Sequence, residues 1–343
     1  MKTFIIAEAG VNHNGDEKMA VELVEAAAKS GADAVKFQTF SADKLTRKGA
    51  EKAEYQKQAT GDGDQHGMLK ALEMSESLHR RLFARCADLG IEFMSTAFDD
   101  QSLDFLVALG IKRIKVPSGE ITNPPLLRHM ASKGVPLIVS TGMAALDEVV
   151  AAVEIIRLAR ESHGFTEPLG DVVTILHCTS NYPTACTDVN LRAMNTLARA
   201  TGLPVGYSDH TLGLAVSTGA VALGARVIEK HFTLNSGLPG PDHKASLEPD
   251  QLAALVRQIR DVEQALGSAT KAPTASELPV RDLVRRSVTA VRAIDAGAPI
   301  VREDVALMRP GTGIPPINLD KVIGRKTARA IAAGETLVWS DLA

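Results

Sequence analysis

Eight short apolar runs, each ending in polar or charged residues and separated from the next by a longer stretch, set the strongest limit on this fold. In chain order they are TFIIAEA, AVKFQTF, EFMSTAF, RIKVPSG, PLIVSTG, VVTILHCTS, PVGYSD and RVIEKHFT. Between them lie stretches such as DEKMAVELVEAAAKSGA, LHRRLFARCADLG and LDEVVAAVEIIRLARES, with apolar residues at helical spacing and glycine stops. Fully apolar strands flanked by helices imply a parallel sheet, and eight β/α units in succession imply an α/β fold of the closed (β/α)8, or TIM, barrel type.

Such a barrel carries its chemistry at the C-terminal ends of the strands. Those ends hold Glu8, Lys36, Gln38, Thr96, Lys115, Ser140, His177, Asp209, His210 and His231. Strands that simply end at the surface are also polar there, which accounts for serines and threonines better than for lysines, glutamates and histidines together.

The barrel is expected over residues 1–267. The segment SATKAPTASELP, rich in small residues and proline, predicts a linker over 268–281. Residues 282–343 form a second unit that nearly repeats itself. AVRAIDAGAPIVREDV is echoed by TARAIAAGETLVWSDL, with Arg292/Arg329, Ala293/Ala330, Ile294/Ile331, Gly297/Gly334 and Asp304/Asp341 in register. Two short arms imply a compact pseudo-symmetric module, since a solenoid needs more copies.

Composition narrows the partners. A net charge of -3 over 343 residues argues against binding nucleic acid by phosphate neutralisation, and no block of like charge suggests a membrane patch. A small-molecule partner is expected. Three cysteines without metal-type spacing fit a reducing compartment, and the cytoplasm is the expected location. The first apolar run is broken by Glu8 and is too short for a signal or transmembrane segment. No GxGxxG or P-loop is present, so nucleotide binding is not expected.

His210 and His231 fall at the ends of strands seven and eight, which are neighbours in a closed barrel, so both imidazoles can converge on one ion. Two imidazoles with oxygen ligands and open positions suit a divalent first-row metal such as manganese. Each histidine taken alone also reads as a hydrogen-bonded strand-end residue. Lys36 and Lys115 among the hydroxyls of Thr96, Ser118, Ser140 and Ser208 suit a phosphate or carboxylate ligand. Glu8 and Glu120 suit a general base or contacts to sugar hydroxyls, or else structural pairing with the lysines. The loop GLPGPDHKASLEP, stiffened by two prolines, presents Asp242 and His243.

The motifs IIAEAGVNHNGD, VKFQT, IKVPSGEITNPPLL, STGMA, LHCTSNYPT, GYSDHTLG, IEKHFTL, PGPDHKASLEP and RPGTGI, in this order, resemble the sialic acid synthase family. The second unit resembles the antifreeze-like (SAF) domain of those enzymes. The resemblance implies condensation of phosphoenolpyruvate with an N-acetylated mannosamine-type sugar, giving a nine-carbon ulosonic acid and phosphate, with a divalent metal, commonly Mn2+. It implies metal ligation by His210 and His231. It implies a phosphoenolpyruvate side lined by Lys36, Gln38, Thr96, Lys115, Ser118, Ser140, Ser180 and Ser208, with Glu8, Glu120, Tyr182 and Asp242 facing sugar, water or both. Glu120 is the expected general base for the attacking water. Arg309 of RPGTGI resembles the arginine that reaches the sugar in a partner's barrel, which implies a domain-swapped homodimer. The resemblance implies a substrate-contacting residue in the loop between Phe40 and Ser75, but no motif aligns there and none is assigned.

PGPDHKAS fits both the neuraminate and the legionaminate branches. N-acetylmannosamine is the first substrate expected and 2,4-diacetamido-2,4,6-trideoxymannose the alternative. A Schiff-base aldolase, and a sugar-binding or assembly protein of surface polysaccharide production without turnover, are the rival readings.

Overall fold

The computed structural model describes residues 2–343, which divide into two compact units that meet at 267/268. In the first unit eight parallel strands close into a barrel in sequential order. They are β1 (Phe4–Gly10), β2 (Ala34–Thr39), β3 (Glu92–Ala97), β4 (Ile114–Val116), β5 (Leu137–Ser140), β6 (Val173–Cys178), β7 (Val205–Asp209) and β8 (Val227–His231), one in each predicted run. β1 closes the ring on β8, with Glu8 opposite His231. The main helices of the eight units are α1 (Glu17–Lys29), α2 (Glu76–Leu89), α3 (Asp100–Leu109), α4 (Pro124–Ala131), α5 (Leu146–Ser162), α6 (Ala193–Thr201), α7 (Ala215–Ala222) and α8 (Pro249–Leu266). Their ends follow local chemistry: Asp16 accepts from the backbone N–H groups of Lys18 and Met19 at the start of α1, and Gly90 takes the left-handed conformation after α2.

Strand alternation builds the interior. Ile6, Ala34, Met94, Ile138, Leu176 and Val227 form an apolar layer inside the barrel. Two residues on, and therefore on the same inner face, stand Glu8, Lys36, Thr96, Ser140, Cys178 and Glu229. The outer faces of the strands pack against the helices in a separate, larger core. Gly206 has no side chain because a Cβ there would lie 2.4 Å from the Val227 carbonyl oxygen and 2.6 Å from Leu176 Cδ2.

Between the barrel and α7, Asp209 and Lys230 are both fully buried, with Lys230 Nζ 2.9 Å from Asp209 Oδ2. Lys230 also donates to the Thr211 carbonyl at 2.5 Å, while Asp209 accepts from Thr211 N, Thr211 Oγ1 and Ser217 Oγ. Every oxygen of the carboxylate is satisfied. The cluster ties β7, β8 and α7 together directly behind His210 and His231.

In the second unit β9 (Ser287–Ala290) pairs antiparallel with β10 (Val305–Met308) around a core that includes Val288, Ile300, Val305, Ile314 and Leu337. The sequence repeat is also a structural one. Arg292 Nε meets Asp304 Oδ1 at 2.5 Å and Arg329 Nε meets Asp341 Oδ1 at 2.9 Å. Asp304 and Asp341 each accept a backbone N–H, from Val301 and Val338, at 2.8 Å. The two arms bridge at Ile294 and Ile331. A helix, Leu278–Val284, runs across the expected boundary at 281/282, with Pro279 in its first turn, where proline needs no N–H.

Replacing Asp209 with alanine strands the buried Lys230 ammonium, and the expected loss is about 3–5 kcal/mol of stability. Urea unfolding followed by far-UV circular dichroism measures it. The double variant Asp209→Ala/Lys230→Met recovers most of that loss, because it removes the uncompensated charge.

Candidate functional site

The barrel mouth opens into a cavity of about 470 Å³. Of the fifteen residues predicted for the site, thirteen line it: Glu8, Lys36, Gln38, Thr96, Lys115, Ser118, Ser140, Ser180, Tyr182, Ser208, His210, His231 and Asp242. Glu120 does not, and Arg309 is expected at a partner's barrel rather than at its own. Glu120 lies half-buried in the turn after β4, where its carboxylate accepts from Asn123 Nδ2 at 2.7 Å. The strand has already ended there, so the parity that aims Lys115 inward no longer applies. Arg309 is exposed in the second unit, just after β10.

Four charges meet at the base. Lys36 Nζ stands 2.7 Å from Glu8 Oε2 and 3.7 Å from Glu229 Oε2. Lys115 Nζ is 3.5 Å from Glu229 Oε1 and donates to Ser140 Oγ at 2.7 Å; Lys36 donates to Thr96 Oγ1 at 3.0 Å. All four ionic side chains are at most 6% exposed. Burial pushes the Glu8 carboxyl up to about 7, against the pull of Lys36. Glu229 goes the other way: burial opposes its charge, but Lys115 and Lys36 hold it well below the usual carboxylate range. Burial also works against the Lys36 ammonium, and Glu229 and Glu8 more than offset it. Lys115 is lowered by burial despite Glu229. The base therefore favours two cations against one firm anion, with Glu8 able to take up a proton, and is suited to receive an anionic ligand.

Beside the lysines the hydroxyls crowd a glycine. Gly142 N–H donates to Ser118 Oγ at 2.9 Å, and a Cβ on Gly142 would lie 2.2 Å from Ser180 Oγ and 2.9 Å from Ser118 Oγ. Only a backbone fits there.

The two histidines face each other across the adjacent strands, with ring centroids 5.4 Å apart and planes at 65°. His210 Nδ1–H donates to the Thr179 carbonyl at 2.6 Å, which makes Nε2, 3.4 Å from Ser208 Oγ, the nitrogen whose lone pair can ligate. Burial lowers both imidazoles, His231 strongly, so both are neutral at pH 7. His231 Nδ1 is buried without a hydrogen-bond partner, 3.8 Å from Asp242 Oδ2. Among the described residues no group of three or more His, Cys, Asp or Glu side chains forms a ready-made metal cage. Two neutral imidazoles with an orphaned nitrogen instead fit an ion whose remaining positions are filled by water or substrate oxygens.

Aromatic rings cover this pair. Tyr182 lies over His210 at 4.1 Å and edge-on to His231 at 5.5 Å, and Tyr55 packs on Tyr182 at 5.2 Å. Asp242 faces the cavity, its carboxyl raised by burial to about 6, whereas its neighbour His243 is locked between Thr233 Oγ1 and Asn14 Oδ1 and serves the loop.

The sequence reading missed Glu229 and the whole contribution of the segment after β2. Glu229 sits two residues before His231 on β8, so its strand parity was the available signal. In the segment after β2, Tyr55, Gln56, Gln65, Met68, Leu69 and Leu72 line the cavity. Positions 65, 68, 69 and 72 have the spacing of one helical face, and a short helix, Gln65–Lys70, presents it. No helix among the described residues is long and apolar enough to cross a membrane.

Comparison with known proteins matches this architecture throughout. Residues 23–271 match the NeuB family and residues 285–343 the SAF domain. The N,N'-diacetyllegionaminic acid synthase of Legionella pneumophila is 56% identical over 343 residues, 100% of this chain and 95% of that protein. The N,N'-diacetyllegionaminic acid synthase of Campylobacter jejuni is 44% identical, covering 94% and 95%. Among solved structures, the N-acetylneuraminic acid (sialic acid) synthetase of Leptospira borgpetersenii in complex with citrate superposes with a TM-score of 0.71 at 34% identity, covering 82% of this chain and 90% of that one. The chain belongs to the NeuB family and carries a SAF domain at its C-terminal end.

Proposed function

We propose that this protein is a nonulosonic acid synthase that condenses phosphoenolpyruvate with 2,4-diacetamido-2,4,6-trideoxymannose, giving N,N'-diacetyllegionaminic acid and phosphate. One observation carries the reaction class: two buried lysines and two neutral histidines share a single cavity at the strand ends. The choice of sugar rests on relatives named as diacetyllegionaminic acid synthases at 56% and 44% identity. They move the preference from N-acetylmannosamine to the second of the two sugars weighed from the sequence.

Lys36 and Lys115, with the hydroxyls of Thr96, Ser118, Ser140, Ser180 and Ser208, hold the phosphate and carboxylate of phosphoenolpyruvate as point charges and donors. His210 and His231 would hold a divalent ion, Mn2+ by the resemblance, which would supply Lewis acidity at the sugar aldehyde. C3 of phosphoenolpyruvate bonds to the aldehyde carbon, water adds at C2, and phosphate leaves by carbon–oxygen cleavage. One proton of the water balances the one gained by the former aldehyde oxygen, and the other leaves the C2 hydroxyl with the departing phosphate as the C2 ketone forms. Glu8, held near neutrality against Lys36, is the lining carboxyl suited to pass the first of these, a role the sequence reading gave to Glu120. Tyr182 shields the histidine pair from bulk water.

The resemblance carries a further proposal, a homodimer in which Arg309 of one subunit serves the sugar in the other's barrel. Sedimentation at twice the 36.4 kDa chain mass is its check. Free thiols at Cys86, Cys178 and Cys186 fit a cytoplasmic enzyme. A Schiff-base aldolase would need a neutral amine: Lys36 is held as a cation by Glu229 and Glu8, so Lys115, lowered by burial, is the lysine that borohydride trapping would test.

Phosphate release from phosphoenolpyruvate with Mn2+ is expected with 2,4-diacetamido-2,4,6-trideoxymannose, more weakly with N-acetylmannosamine, and is abolished by chelator. Manganese binding without release from either sugar would favour a binding protein. Borohydride trapping with pyruvate would favour the aldolase.

Gly142→Ala tests the anion side. The added methyl displaces seryl hydroxyls rather than backbone, so the fold persists. KM for phosphoenolpyruvate is expected to rise at least about tenfold, about 1.4 kcal/mol, while thermal unfolding shifts little.

A further inference from the structure

We infer that the apolar face formed by Met68, Leu69 and Leu72 selects a sugar with a methyl group, rather than a hydroxymethyl group, at C6. The inference rests on the synthase reading above and names the element that sets its specificity. The cavity has two unlike walls. Strand ends supply lysines, hydroxyls and histidines; the segment after β2 supplies Tyr55, Gln56 and Gln65 and, beside them, an apolar patch of Met68, Leu69 and Leu72 that Val11 and Phe98 extend. Val11, Phe40 and Leu72 are its buried core, with Leu45, Met68, Leu69 and Phe98 packed against them.

Part of that surface is simply the packing under a long loop. Met68 and Leu69, however, are only half-buried and still line the cavity. Leu69 is therefore an apolar side chain left facing the ligand space. Gln65, one turn back on the same helical face, accepts from Thr46 Oγ1 at 3.2 Å and is the polar boundary of the patch.

The chemistry fixes which end of the sugar meets this wall. The aldehyde carbon has to reach phosphoenolpyruvate among the lysines and histidines. An extended open-chain sugar then carries C6 to the opposite end, away from the strand-end polar groups. A 6-methyl there buries apolar surface, whereas a 6-hydroxyl gives up water and meets methyl and methylene groups that offer it no partner. An apolar pocket rejects an added hydroxyl by roughly 10–100-fold.

The test uses two sugars that differ by one oxygen, 2,4-diacetamido-2,4,6-trideoxymannose and 2,4-diacetamido-2,4-dideoxymannose, with phosphate release as the readout. Wild-type protein is expected to favour the 6-deoxy sugar in kcat/KM by at least about tenfold. Leu69→Asn is expected to narrow that ratio to within about threefold, with the change falling on the sugar's KM. Leu69→Met, similar in volume and apolar, retains the wild-type ratio and shows that the loop tolerates exchange at this position. KM for phosphoenolpyruvate reports on collapse of the site as a whole, and is expected to hold in both variants.

Turnover of both sugars at equal kcat/KM by the wild type would overturn the inference and leave the synthase reading standing. So would a Leu69→Asn variant that keeps the wild-type ratio. Absence of chelator-sensitive phosphate release with either sugar would overturn the synthase reading, and this inference with it.

Discussion

The two-residue period of the β-strand, applied inside a closed ring, governs both the stability and the chemistry of this molecule. Once Ile6, Ala34, Met94, Ile138, Leu176 and Val227 are committed to the inner face, the residues two further on have no choice but to point the same way. They form a polar layer above an apolar floor. A one-residue slip in any strand would exchange Lys36 or Glu229 for an outward-facing neighbour and bring an unpaired charge against a helix. The packing of the floor thus fixes the register of the site. Outside the ring the same parity places Asp209 and Lys230 together, so the histidines that follow each of them are braced from behind by a fully satisfied ion pair.

Electrostatics adds a second level of order. Two lysines in a dry cavity repel each other and resist charge; Glu229, 3.5 Å from Lys115 and 3.7 Å from Lys36, opposes that loss, more than offsetting burial at Lys36 together with Glu8 and offsetting it only in part at Lys115. Glu8 completes the group without fixing its charge, because burial raises its proton affinity to about 7. An arriving anion can then be met by proton uptake at Glu8 as well as by the lysines. The histidines stay neutral in the same cavity because burial and the nearby cations outweigh Glu229. One carboxylate therefore serves the cations without making imidazolium of the rings.

Most of the barrel was legible in the sequence because each strand is an apolar run with a polar end, and that pattern survives without knowledge of the partners. All eight runs became strands, and Lys36, Lys115, the hydroxyls, His210 and His231 at their ends converge on one cavity, whereas His177 turns away to the Val189 carbonyl. The reading failed where strand parity stopped. Glu120 lies beyond the end of a three-residue strand, in a turn whose direction depends on Asn123 and on the start of α4. Glu229 was overlooked inside IEKHF because it precedes the histidine that drew attention. The segment after β2 offered a helical face of only four residues, too short to stand out from a polar, glycine-rich loop until its neighbours Val11, Phe40 and Phe98 were in place.

That division between legible strands and illegible loop has a physical meaning for how such an enzyme diverges. The lysines, hydroxyls and histidines that line the cavity are bound to the strand register, so changing one of them disturbs the packing beneath it. Residues 65–72 contact little of the barrel core, and their cluster is a satellite of it. Exchanging Leu69 alters one wall of the cavity while the floor, the ion quartet and the histidine pair keep their places. Substrate choice can therefore change in the loop at small cost in stability, whereas the reaction itself is held by the same alternation that holds the barrel closed.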